Sequence, residues 1–95
     1  MPKVPKERLF LRNYMEDLVW NFLDEVLAKY PEACSCTSCR HDMAAIALNG
    51  LQPRYVVREK GEVYSKVSTL EVQYRADIYG ALTKAIMTVM SIPRH

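Results

Sequence analysis

Three prolines, Pro31, Pro53 and Pro93, each follow a stretch of chain with helical features, so the sequence favours three helices that end before these prolines. In the strongest stretch, from Tyr14 to Tyr30, apolar side chains recur every three or four residues over about four turns. Asn13 precedes this stretch as an N-cap and Pro31 follows it. The pattern predicts an amphipathic helix over residues 14–30 with one buried face.

A second helix is predicted after Pro31. It runs from about Ser38 to Asn49, with Thr37 or Ser38 as its N-cap. Gly50 follows it as the C′ residue, and Pro53 prevents its continuation.

A third helix is predicted in the C-terminal part of the chain. It begins near Ser68, which has capping-box spacing with Glu71, and Pro93 closes it. Its apolar stripe has the spacing of a helix that faces a core and consists of Leu70, Tyr74, Ile78, Ala81, Leu82, Ala85, Ile86, Val89 and Met90.

Between the second and third helices, the segments Tyr55–Val57 and Val63–Tyr64 flank a charged turn at residues 59–62. This connection is predicted to be a short hairpin or an extended loop. Together these patterns predict a mainly α fold. Residues 1–95 are predicted to form one small domain of three to four helices, with a cysteine-rich loop and a short extended or hairpin connection. The basic residues 1–12 are predicted to be a mobile, solvated arm.

The charge of the chain is nearly balanced, at a formal +2, which argues against a protein that coats DNA. Basic residues cluster in residues 3–12 and 54–66, whereas residues 14–29 are mostly acidic. A local cationic surface on a near-neutral body favours a small anionic ligand over a long phosphate backbone. The chain has no apolar run long enough to span a membrane and no visible secretory signal, so the cytoplasm is the expected location.

Three cysteines, Cys34, Cys36 and Cys39, lie close together at the start of the second helix. Cys39 falls in the first turn, where unpaired N–H groups and the helix dipole favour a thiolate. Converging thiolates repel one another unless a cation neutralises them, and Zn²⁺ does so with tetrahedral geometry. Three thiols without a metal are the alternative. A disulfide is disfavoured in the cytosol, and an iron–sulfur cluster usually needs four cysteines.

A zinc site of this kind needs a fourth ligand, which the sequence leaves open. His41 lies two residues after Cys39 and His95 lies at the far terminus; Glu32, Asp42 or a water molecule are the other candidates. Three thiolates carry more charge than the metal, which indicates a structural site. No Ser/His/Asp arrangement, Gly-rich phosphate loop or tuned carboxylate pair stands out, so the sequence predicts a protein that is not an enzyme.

Four segments follow one another in a distinctive order: Met15–Trp20, Cys34–Cys39, Asp42–Asn49 and Leu51–Val57. Over nearly the whole chain, this order resembles the late competence development protein ComFB family. The resemblance implies a mostly helical homodimer with a cysteine-bound zinc, although this chain supplies three cysteines where some relatives have four. It further implies a receptor for a cyclic dinucleotide second messenger, cyclic di-GMP foremost or cyclic di-AMP, linked to competence and type IV pilus-dependent behaviour through a protein partner.

This implication directs attention to the basic and aromatic residues after Pro53, and the predicted ligand-binding residues are Arg54, Tyr55, Arg58, Lys60 and Tyr64. Arginine pairs with phosphate or guanine, and tyrosine offers a stacking face. In a homodimer the two-fold axis would present each side chain twice to a nearly symmetric ligand. The alternative is that Tyr55, Val56 and Val57 pack in the core and that Arg58 and Lys60 lie in a solvated turn. The alternative function is a zinc-stabilised protein–protein adaptor without nucleotide binding.

Overall fold

The computed structural model of this chain describes the backbone of residues 9–59 and 67–92, with the side chains of residues 11–57 and 72–92. In chain order its elements are β1 (Leu9–Asn13), α1 (Tyr14–Leu27), α2 (Thr37–Asn49), β2 (Tyr55–Glu59) and α3 (Val67–Ser91). The predicted fold class is confirmed, because the described chain is mainly helical, with a cysteine-rich loop after α1 and an extended segment after α2.

Apolar side chains of the three helices form one core, as their helical spacing predicts. The helix α2 contributes mostly small side chains and sulfur, which lets it pack closely against its neighbours. Among the described residues, no helix combines the length and apolarity needed to cross a bilayer. The buried residues are Tyr14, Met15, Leu18, Val19, Phe22, Leu23, Val26 and Leu27 of α1, Cys39, Met43, Ala44 and Ala47 of α2, and Ile78, Leu82, Ala85, Ile86 and Val89 of α3.

The helix α1 ends at Leu27, earlier than the predicted end at Tyr30. Beyond Leu27 the chain forms a narrower helical turn. The N–H of Lys29 donates to the carbonyl oxygen of Val26 at 3.0 Å, and the N–H of Tyr30 donates to the carbonyl oxygen of Leu27 at 2.9 Å. These bonds join residues three apart and have 3₁₀ geometry. Pro31 disfavours helical backbone at the residue before it, so the helix stops short of its proline.

The helix α2 begins one residue earlier than predicted, and its N-cap is Cys36 instead of Thr37 or Ser38. The Cys36 sulfur accepts a hydrogen bond from the backbone N–H of Cys39 at 3.4 Å, which satisfies one unpaired donor of the first turn. At the other end, Gly50 has a φ of −93°. This position therefore does not use the left-handed backbone expected of a glycine C′ residue.

The extended segment β2 pairs with β1 in an antiparallel two-stranded sheet. In this sheet Leu11 lies opposite Val57, and Asn13 lies opposite Tyr55. Successive residues of a strand point to opposite faces, so these four side chains share one face. On the other face, Val56 packs against the helical core.

The pairing of β1 with β2 corrects one prediction about the ends of this sheet and leaves another untested. The mobile arm predicted over residues 1–12 is wrong for residues 9–12, because the backbone of β2 needs hydrogen-bonding partners and β1 provides them. The predicted hairpin partner Val63–Tyr64 and residues 1–8 lie outside the described residues.

The sheet is tied to the helices at Asn13, whose side-chain oxygen accepts two backbone hydrogen bonds. Its Oδ1 atom receives the N–H of Met15 at 3.2 Å and the N–H of Arg54 at 2.9 Å. The N–H of Tyr14 donates to the carbonyl oxygen of Arg54 at 2.6 Å. Asn13 is thus the N-cap of α1, as predicted, and it also fixes the residue that leads into β2.

Polar contacts on the surface join α1 to the other two helices. Arg40 of α2 pairs with Asp24, and the Tyr79 hydroxyl of α3 donates to the Glu25 carboxylate. The bond to Glu25 raises the pKa of Tyr79, because a phenolate beside a carboxylate is disfavoured. These contacts orient the helices, while the apolar core supplies most of the stability.

Replacing Asn13 with alanine should lower the free energy of unfolding by about 1–2 kcal/mol, because two backbone N–H groups lose their acceptor. The control Asn13→Asp keeps an acceptor oxygen and adds a charge that favours a helix N-terminus, so it should stay within about 0.5 kcal/mol of the wild type. Urea unfolding followed by circular dichroism measures both variants. Equal losses of stability would contradict the role assigned to Oδ1.

Candidate functional site

The three cysteines come together where the loop after α1 meets the start of α2. Cys36 caps α2 and Cys39 lies one turn later, while the loop brings Cys34 beside them. Their Sγ atoms all lie within 4.8 Å of one another. Cys34 and Cys36 are exposed and Cys39 is buried in the core, so the cluster extends from the surface into the interior.

The two cysteines of α2 differ in the protonation state that their surroundings favour. Hydrogen bonds from the Cys39 N–H and from the Cys34 side chain lower the pKa of Cys36. Burial raises the pKa of Cys39 to about 12. The prediction that the first turn favours a Cys39 thiolate is therefore wrong for the metal-free thiol, because burial disfavours the charged form of this sulfur. The favoured thiolate is Cys36.

The three sulfur atoms fit a tetrahedral metal ion. Thiolates bound at ~2.3 Å have their sulfur atoms about 3.8 Å apart. Because the Sγ atoms already lie within 4.8 Å of one another, small side-chain movements suffice to bring them onto one ion. A cation would also offset the cost of holding the buried Cys39 sulfur as a thiolate. Cys34, Cys36 and Cys39 are therefore the residues that would hold a metal.

The other predicted metal ligands do not join the cysteines, which alone form such a group among the described residues. His41 lies two residues after Cys39, on a different side of α2. Its Nδ1 atom is 2.8 Å from a backbone carbonyl oxygen one turn earlier, and its ring meets that of Trp20 edge-on at 5.1 Å. Glu32 and Asp42 are likewise not part of the group, and His95 lies outside the described residues.

A groove of ~730 Å³ between the C-terminal end of α2 and the helix α3 is the second candidate site. Its volume lies in the range of small-molecule sites, about 300–1,000 Å³. The guanidinium carbon of Arg54 lies 5.1 Å from the centre of the Tyr74 ring, a cation–π contact. Asp77 and Lys84 of α3 also line the groove. Its apolar lining includes Met15, Ile46, Leu51 and Ala81.

The described residues include the side chains of Arg54 and Tyr55 from the predicted ligand-binding set. Arg54 lines the groove, and Tyr55 follows it on β2 with 63% of its surface exposed. The alternative that Tyr55 packs in the core is therefore wrong. The backbone of Arg58 lies in β2, and Lys60 and Tyr64 lie outside the described residues.

The groove residues of α3 are not among the predicted site residues. Tyr74, Asp77 and Lys84 line the groove together with Ala81 and Thr88, at spacings of three and four residues that place them on one helix face. This spacing is the signal that could have identified them. Polar residues on one face of a helix usually contact solvent, however, so the pattern alone does not distinguish a groove from a solvated surface.

The fold and the cysteine cluster define a small helical protein with a thiol-rich centre at a helix N-terminus, and its sequence and fold are similar to those of known proteins. The family model described as late competence development protein ComFB matches residues 12–93. Competence protein ComFB of Bacillus subtilis (strain 168) is 28% identical over 83 residues, which cover 87% of this chain and 85% of that protein. The solved structure of the late competence protein ComFB from Bacillus subtilis has a TM-score of 0.74 at 27% identity, over 88% of this chain and 94% of that one.

This chain belongs to the late competence development protein ComFB family. The resemblance found in the sequence is confirmed. The names of the family and of its relatives refer to competence, and none of them names an enzymatic reaction.

We expect the full-length protein, purified without chelators, to contain about one transition-metal ion per chain, because three converging thiolates favour such ions. Cys36→Ser removes an exposed ligand without disturbing the core and should lose most of the metal. Ser35→Ala is the matched control at the neighbouring residue and should retain it. Elemental analysis by mass spectrometry gives the metal content, and equal contents in the two variants would show that Cys36 is not a ligand.

Proposed function

We propose that this protein is a non-enzymatic cytoplasmic receptor for a cyclic dinucleotide, cyclic di-GMP in preference to cyclic di-AMP. It would regulate competence or type IV pilus-related behaviour through a protein partner. The observation that carries the proposal is the groove, where Arg54, Tyr74 and Lys84 combine two cations with an aromatic ring. Membership of a competence family supports the proposed process.

Each chemical part of such a ligand has a counterpart in or beside the groove. Arg54 and Lys84 supply the positive charge that phosphate groups require. The rings of Tyr74 and of the exposed Tyr55 offer stacking faces for the purines, each worth ~1–3 kcal/mol when used. The Asp77 carboxylate can accept the N1–H and N2–H₂ donors of guanine, which adenine lacks. This last contact is the basis of the proposed preference for cyclic di-GMP.

Isothermal titration of the full-length protein with cyclic di-GMP, cyclic di-AMP and GTP tests the proposal. We expect saturable binding of cyclic di-GMP, weaker binding of cyclic di-AMP and none of GTP. Arg54→Ala should weaken the affinity at least about tenfold, because a charge-assisted hydrogen bond contributes ~1.5–3 kcal/mol. Asp77→Asn should reduce the preference for guanine over adenine.

Arg75→Ala is the matched control for Arg54→Ala in this titration. Arg75 also lies over aromatic rings, 5.2 Å from the Phe22 ring and 5.3 Å from the Tyr79 ring, but it does not line the groove. Its removal should leave the affinity unchanged. The absence of saturable binding by folded wild-type protein would refute the receptor, and equal losses in the two arginine variants would refute the groove as its site.

Within this proposal, the metal at Cys34, Cys36 and Cys39 is Zn²⁺ in a structural role. Zinc suits a tetrahedral thiolate site, and three thiolates carry more negative charge than the ion carries positive charge. The zinc would therefore have little Lewis acidity and would hold the loop after α1 against the start of α2. The elemental analysis described above also identifies the ion.

We further propose that two copies of the chain associate through the exposed face of the β1–β2 sheet. On this face Leu11, Tyr55 and Val57 are 70%, 63% and 62% exposed. A two-stranded sheet is marginally stable in water, and a patch of neighbouring apolar side chains gains from burial.

Val57→Glu should shift the protein from dimer to monomer, because a symmetric interface brings the two introduced carboxylates towards each other. Met87→Glu is the matched control, since Met87 is also exposed, at 58%, but lies on α3. Light scattering coupled to gel filtration gives the mass of each variant. A monomeric wild type, or dissociation of both variants alike, would contradict this interface.

The second candidate function is a zinc-stabilised protein–protein adaptor that binds no nucleotide. In this function the exposed apolar face of the sheet binds a different protein in place of a second copy of the chain, because the same side chains suit either partner. A folded, metal-bound protein that gives no heat with either cyclic dinucleotide would favour the adaptor over the receptor.

A further inference from the structure

We infer that Cys36 and Cys39 form a redox-active dithiol, in which Cys36 exchanges with a small-molecule disulfide and Cys39 then closes an intramolecular disulfide. The two residues have Cys-x-x-Cys spacing at the start of a 13-residue helix. Cys36 is the exposed N-cap and Cys39 is fully buried one turn later. This arrangement separates an accessible sulfur from a protected one, as thiol–disulfide exchange requires.

The geometry assigns the order in which the two sulfurs react. A disulfide in solution can reach Cys36 but not Cys39, whose exposed fraction is 0%. The N–H of Cys39 donates to the Cys36 sulfur at 3.4 Å and so stabilises negative charge on that atom. Residues three apart at a helix start have Cα atoms about 5–6 Å apart, within the ~4.4–6.8 Å range of disulfides.

The exchange can be written with glutathione disulfide as the oxidant. The Cys36 thiolate attacks one sulfur of glutathione disulfide, forms a mixed disulfide and releases one glutathione thiolate. The Cys39 thiol loses its proton to solvent, and its sulfur attacks the Cys36 sulfur and displaces the second glutathione thiolate. The protein loses two electrons and two protons, and one glutathione disulfide becomes two glutathione molecules.

Two features distinguish this pair from the alternatives in the cluster. A bond between Cys34 and Cys36 would close a ring of only three residues and strain the bridge, although these Sγ atoms also lie within 4.8 Å of each other. Metal binding and the proposed disulfide exclude each other, because the metal is bound by thiolates and a disulfide leaves neither sulfur as a thiolate. Oxidation would therefore release a bound metal, whereas the exchange itself requires no metal and no nucleotide.

The experiment equilibrates full-length protein, with and without prior chelator treatment, in mixtures of oxidised and reduced glutathione. After acid quenching and alkylation of the remaining thiols, peptide mass spectrometry maps the disulfides. We expect a Cys36–Cys39 disulfide that dithiothreitol reverses, and the release of any bound metal as it forms. A disulfide that forms while the metal stays bound would overturn the proposed exclusion.

Three variants make the assignment specific. Cys34→Ser should still form the disulfide, and Cys36→Ser should not form it. Cys39→Ala should accumulate a mixed disulfide of Cys36 with glutathione, and far-ultraviolet circular dichroism checks that this variant is folded. If Cys39→Ala is unfolded, the results for Cys34→Ser and Cys36→Ser alone test which cysteines form the disulfide. The inference is overturned if the wild type keeps both thiols reduced, stops at the mixed disulfide, or pairs Cys34 with Cys36. None of these results bears on the titration that tests the receptor.

Discussion

A single side-chain oxygen, Oδ1 of Asn13, holds the sheet, the first helix and the groove in one arrangement. It accepts the N–H of Met15, which starts α1, and the N–H of Arg54, which precedes β2. A backbone hydrogen bond from the Tyr14 N–H to the Arg54 carbonyl oxygen joins the same two segments, and these contacts together form the junction between the sheet and α1. A two-stranded sheet is marginal by itself, so this junction and the packing of Val56 are what hold it on the helices. The position of Arg54 over Tyr74 follows from the same contacts.

The sequence was sufficient to predict the helices, because apolar spacing and prolines act over a few neighbouring residues. It was insufficient for the sheet, because the pairing of Leu9–Asn13 with Tyr55–Glu59 joins segments more than forty residues apart. Nothing local in a basic N-terminal segment reports a distant partner strand, and its charge favoured the interpretation as a solvated arm. The early end of α1 could be expected in part, since the residue before Pro31 avoids helical backbone.

The candidate site was likewise predictable where its signals are local in sequence and not predictable where they depend on tertiary packing. The spacing of the three cysteines is a local signal, and the structure brings their sulfur atoms together. Their individual chemistry was not predictable, because the burial that raises the pKa of Cys39 depends on how α2 packs in the core. Arg54 could be predicted as a ligand-binding residue because a guanidinium group pairs with phosphate or guanine. Tyr74, which contacts Arg54, and Lys84, which lines the same groove, come from a helix whose orientation the sequence does not specify.

The two sites lie at opposite ends of one helix, and this placement has a consequence for regulation. The cysteines surround the N-terminus of α2, whereas Ile46 and Gly50 at its other end line the groove. Thirteen helical residues span about 20 Å, and buried Met43, Ala44 and Ala47 hold the helix against its neighbours. A change at the cysteines that displaced α2 as a whole would therefore also displace the lining of the groove. By linkage, a ligand that prefers one position of α2 would in turn favour one state of the cysteines.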